Sequence, residues 1–173
     1  MPSHLRFRVF VAVSATAIAE GFGAVGLWQR NHILSQPFFF PGTTFWESTA
    51  RFHVWPWPYK FAAIWASPAF IGGSIVMMPI RLLLPTFSEA AELVPTAALA
   101  LLLWYWVASK LERYSHAIRW ALLGVFLALS LTGALLPLGY TGWLPYGALA
   151  WCVGALLLRR SRRSLKEHAT PLA

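Results

Sequence analysis

Charge is scarce in this chain, and acidic charge scarcest of all. Only 12% of its 173 residues are charged, with 6 Asp and Glu against 14 Lys and Arg. An ordinary soluble domain carries roughly 25% charged residues. With 58% hydrophobic residues, this chain lacks the polar side chains needed to cover a soluble fold. Cysteine is nearly absent as well, with Cys152 alone in an apolar segment. That excludes a disulfide framework and leaves the redox compartment open. No Cys-x-x-Cys, His-Glu-x-x-His or Gly-x-Ser-x-Gly spacing occurs, nor a phosphate-cradling glycine loop. The sequence therefore implies no metal, no cofactor and no familiar catalytic motif.

Long apolar runs are what the chain does have. About 20 apolar residues cross a hydrocarbon core, and five stretches qualify as spans: 7–28, 61–84, 88–109, 118–138 and 143–158. The uncharged part of the third begins at Leu93, but Thr86 and Glu89 have the spacing of a capping box and start the helix earlier. The four residues Gly139 to Gly142 read as a tight turn. Pro68, Gly72, Gly73 and Pro79 predict that the second span is kinked or unwound. The expected fold is all-α, one polytopic bundle of about five spans, with a short interfacial helix in its first long loop.

Arg6, Arg8 and the Ala17-Ile18-Ala19 triplet resemble a secretory signal. The apolar run continues to Trp28, so the reading adopted is an uncleaved helix. Positive charge favours the cytoplasmic side, which places the C-terminus inside and, for five spans, the N-terminus outside. Arg6, Arg8 and Arg81 then lie outside, and the remaining Lys and Arg inside. Trp28, Trp46, Trp55, Trp57, Trp65, Trp104, Trp106 and Trp120 would form a belt near the inner interface. The tail 159–173, with Arg159, Arg160, Arg162 and Arg163, reads as an anchor on anionic lipid head groups. Nucleic acid is not implied, because the basic residues gather at the ends of apolar runs.

Residues 29–60 form an aromatic loop lying at the interface, in which Thr44 and Glu47 predict a short helix through about His53. Glu47, Arg51 and His53 form a candidate loop site, with the Glu47–Arg51 spacing of an exposed ion pair. His32, His53 and His116 fall toward the inner interface, none of them mid-span. Glu20 stands alone near the middle of the first span, where a carboxyl normally faces the bundle interior. Hydroxyls of Ser67, Ser74, Ser130 or Thr132 could satisfy it. Beside it Ala12, Thr16, Ala19, Gly23 and Gly26 make a small-residue seam for helix packing.

Five spans, a long first connection and abundant tryptophan give a layout that resembles the tryptophan-rich sensory protein family. The resemblance is one of layout and carries over no residues or ligands. Three functions follow from the residues. The leading one is a non-catalytic subunit or scaffold that docks to a partner membrane protein or forms a homo-oligomer. The alternatives are a small transporter or channel using Glu20, and a lipid-active enzyme using Glu47, His53 or His116.

Overall fold

The computed structural model describes residues 3–34, 55–83, 93–136 and 145–156, and all its elements are helices. They are α1 (Ser3–Leu34), α2 (Trp57–Trp65), α3 (Ser67–Leu83), α4 (Leu93–Leu111), α5 (His116–Leu135) and α6 (Pro145–Leu156). Three of them, α1, α4 and α5, are long and apolar enough to cross a membrane. The number becomes four if α2 and α3 count as one bent span. The fifth expected span is described only as α6, which is shorter. The predicted Thr86–Glu89 cap, the turn at 139–142 and most of the 29–60 loop lie outside the described residues.

α1 overhangs any single crossing. Arg8 and Arg30 stand about 33 Å apart along it at 1.5 Å per residue, close to the ~30 Å of a hydrocarbon core. The small residues of the seam face inward: Ala12 and Ala19 are 2% and 4% exposed. Gly23 packs against Ala62 and Leu93, and Gly26 against Tyr59. α2 and α4 therefore cover this seam from within the same chain.

The kink expected in the second span is a break. α2 ends at Ala66, and α3 leaves at 96° to it. Pro68 explains the position: it has no N–H to offer the carbonyl of Ile64, and its ring crowds the preceding turn. The indole Nε1 of Trp151 donates to that carbonyl instead, at 3.0 Å. The indole of Trp65 likewise donates to Ala15 O at 3.0 Å, tying the end of α2 to the middle of α1.

Helix directions follow from these contacts. Along α2, Tyr59, Ala62 and Trp65 meet Gly26, Gly23 and Ala15, so α2 runs antiparallel to α1. α3 then turns back, with Gly72 beside Leu99 and Gly73 beside Thr96, in the first half of α4. α4 also runs antiparallel to α1, its start at Gly23 and its end at Arg8. α6 lies against α5, with Tyr146 on Gly133 and Trp151 on Phe126. A continuous second span would have made α1 and α4 parallel. The fold-back at Ala66 reverses that.

Aromatic rings join the helices at the centre. Trp65 stacks on Trp104 at 4.6 Å, and Phe126 and Trp151 pack edge-on around the pair. Trp65 and Trp104 are 5% and 1% exposed, so they belong to the core and not to the expected belt. Trp28 and Trp57 lie exposed on the α2 side of α1, whereas Trp106 and Trp120 lie exposed at the opposite end. The described tryptophans thus divide between the two ends and the middle.

Candidate functional site

Two places among the described residues carry the polar groups that bear on function. One is the end of the bundle where α1 begins, α4 stops and α5 starts. α4 finishes in a tight turn, Tyr114 N donating to Leu111 O at 3.0 Å. Its last carbonyls need donors. Backbone N–H groups of the turn serve Ala108, Lys110 and Leu111. Arg119 serves the carbonyls just beyond the helix, with Nε to Tyr114 O at 2.7 Å and Nη2 to Glu112 O at 2.6 Å. A cation there also opposes the negative end of the helix dipole. Its guanidinium lies over the Phe7 ring at 5.1 Å, which brings α1 to the same corner.

Arg8 completes the corner through an ion pair with Glu112, 2.6 Å from Nη2 to Oε2. The Arg8 guanidinium also sits over Tyr105. Hydrogen bonding to Arg8 is the main cause that holds the Glu112 carboxyl below the usual carboxylate range, with the charges of Arg8, His4 and Arg119 adding to it. Desolvation opposes the shift. A carboxyl with a lowered folded pKa stabilises at pH above its unfolded value, and that gain disappears as pH falls through the folded value. Wild type should therefore show an acid loss of thermal stability that Glu112→Gln lacks. Melting curves across acid pH check this, and superimposable profiles would dismiss the pair as a stabilising contact.

The other polar place is Glu20. It lies about midway between Arg8 and Arg30 on α1, half-buried, with no hydrogen bond or ion pair among the described residues. The hydroxyls expected to satisfy it do not. Ser67 and Ser130 are 1% and 0% exposed and have no hydrogen-bond partner among the described residues, while Ser74 and Thr132 are exposed. Glu20 sits at the edge of the outer face of α1 and not in the interior. On that face Ala17, Gly21 and Ala24 are exposed, and a Cβ added at Gly21 would meet nothing within 4 Å. Among the described residues α1 thus has two small-residue faces, one covered by α2 and α4 and one that no described element covers.

Several expected sites fall outside the described residues: Glu47, Arg51 and His53, and the tail arginines Arg159, Arg160, Arg162 and Arg163. His116 is exposed, and its Nε2 accepts from the indole of Trp120 at 3.0 Å. Among the described residues no three His, Cys, Asp or Glu side chains converge as they would around a metal. The Arg8–Glu112 pair is new relative to the sequence reading. Its partners are separated by 104 positions, and no local pattern links them. The outer stripe was readable in principle, since Ala17, Gly21 and Ala24 have helical spacing, but the inner seam has the same signature.

The chain is all-helical in its described parts, with apolar helices that fit a membrane location. Comparison with family models, curated proteins and solved structures finds no match to any of them. The functional reading accordingly rests on geometry.

Proposed function

We propose that this chain is an integral membrane subunit without catalysis of its own, which presents the outer face of α1 to a helix of a partner membrane protein. Glu20 is the observation that carries the reading. A carboxyl at mid-helix is costly in lipid unless it meets a partner or water, and among the described residues Glu20 has no hydrogen-bond or ion-pair partner. Ala17, Gly21 and Ala24 beside it would let a second helix approach closely, as small residues do in membrane interfaces. A transporter reading is less well supported, because Glu20 is on α1, whereas the groove described below is lined by α4, α5 and α6.

In the same proposal α1, α4, α5 and α6 cross the bilayer, while α2 and α3 enter and leave on one side. Four crossings put both chain ends on the same, cytoplasmic, face. Arg6, Arg8, Lys110, Arg113 and Arg119 then lie together on that face, as the distribution of positive charge favours.

The test is extraction from native membranes in mild detergent. Wild type should retain a companion protein, or a second copy, in fixed ratio. A Cβ at Gly21 would meet nothing within 4 Å among the described residues, so Gly21→Leu fills the outer face and should lose the companion at least about tenfold, as one lost anchor contact allows. Its thermal melting should stay unchanged. Glu20→Gln should weaken retention less, because it keeps hydrogen bonding. A bare wild-type monomer, or full retention by Gly21→Leu, would refute the reading.

A further inference from the structure

A groove opens between the second halves of α4 and α6 and the middle of α5, lined by Trp106, Leu111, Leu122, Val125, Trp151 and Gly154 together with their apolar neighbours. Its mouth lies beside the polar corner, since Trp106 and Leu111 belong to the last two turns of α4. Its floor is the central aromatic cluster, reached at Trp104 and Trp151. Trp106, Val125 and Val153 are 52%, 53% and 40% exposed, so the groove opens outward along its length. The walls carry no charge, and a peptide backbone laid there would find nothing to bond with. An alkyl chain needs no such partner.

The charge at the mouth specifies the rest of the occupant. Glu112 is committed to Arg8, and no other Asp or Glu is described at this end. Lys110 makes no ion pair among the described residues, and its Nζ lies 5.5 Å above the Trp106 ring that forms the groove's lip. An ammonium held over an indole beside a greasy slot suits a phosphate whose ester-linked chain runs down the slot. We infer that the groove holds one acyl chain of an anionic phospholipid, with its phosphate against Lys110. This site would give the chain a lipid dependence separate from its α1 face, and it rests on the proposed membrane location.

Gly154 is the position for the test. It lines the groove, and a Cβ there would meet nothing within 4 Å among the described residues, so Gly154→Phe starts in open space, and unchanged thermal melting checks that the fold is kept. Detergent-purified protein is titrated with phosphatidylglycerol or with phosphatidylcholine of the same chains, and bound lipid is counted by native mass spectrometry. Both lipids carry the phosphate, but choline cancels its charge in one, so wild type should prefer phosphatidylglycerol about fivefold, the effect of one basic residue near an anionic head group. Lys110→Gln should bring the ratio near one, and Gly154→Phe should remove the bound lipid with thermal melting unchanged. Equal retention of the two lipids by wild type, or no change in Gly154→Phe, overturns the inference. So does a photoreactive side chain at position 154 that crosslinks to protein, which would assign the groove to a second copy or another chain. Partition into the aqueous phase without detergent would instead remove the membrane reading itself.

Discussion

Replacing Gly26 with alanine should destabilise this protein by about 3 kcal/mol or more, while the same change at Gly21, on the same helix, should be neutral or slightly stabilising. The two glycines have the same backbone state and the same helical propensity. They differ in what lies opposite. A Cβ at Gly26 would come within 2.5 Å of both the Cβ and the backbone nitrogen of Tyr59, and 2.7 Å of its Cα. Backbone cannot swing aside as a side-chain tip can, so the start of α2 would have to move away from α1. Tyr59 packs edge-on against Phe70 of α3, so the displacement would spread into the fold-back. At Gly21 the added methyl meets nothing and gains up to about 1 kcal/mol of helical propensity. Helicity followed through detergent-induced unfolding separates the two. Equal midpoints would mean that α1 and α2 do not pack as described.

Residues 6 and 113 should be labelled from one side of the membrane, and residue 32 only from the other. In a Cys152→Ser background, single cysteines replacing Arg6, Arg113 and His32 are all at exposed positions. An impermeant maleimide applied to intact cells and to inverted vesicles reads the side of each, all or none. The expectation follows from the Arg8–Glu112 pair, which forces the start of α1 and the end of α4 to the same face. Arg30, 4% exposed with its guanidinium 4.4 Å from the centre of the Trp55 ring, marks the opposite face. Cytoplasmic labelling of residues 6 and 113 would fit the charge distribution, with Arg30 and Lys60 toward the far side. Labelling of residues 6 and 113 from opposite sides would rule out the pair, the antiparallel course of α1 and α4, and the fold-back with them.

Much of the architecture was legible before any coordinate. The spacing of Ala12, Ala19, Gly23 and Gly26 marked a packing face, because close helix approach needs small residues at helical intervals whatever covers them. Pro68, Gly72, Gly73 and Pro79 marked a span that would kink or unwind, because a missing N–H is a property of the residue itself, but Pro79 lies inside α3 and the bend comes at Pro68. Glu20 was conspicuous because the cost of a carboxyl in an apolar run is also local. The surroundings of Glu20 were not legible. Its offset from the seam on the helix is small, and only the packing of α2 and α4 reveals that it borders the uncovered face.

The sequence by itself determined that this protein is helical, rich in membrane-length apolar segments and not straight in its second span, since all three follow from the transfer energy and backbone chemistry of successive residues. Tertiary structure alone decided the direction of α3 after Ala66, the division of the tryptophans between core and surface, and the meeting of Arg8 with Glu112. Hydropathy measures how readily a segment leaves water, and it is the same whether the chain crosses or turns back. The side on which each end lies depends on that one turn, and the turn is held by contacts between residues far apart in the chain, such as Trp151 and Ile64.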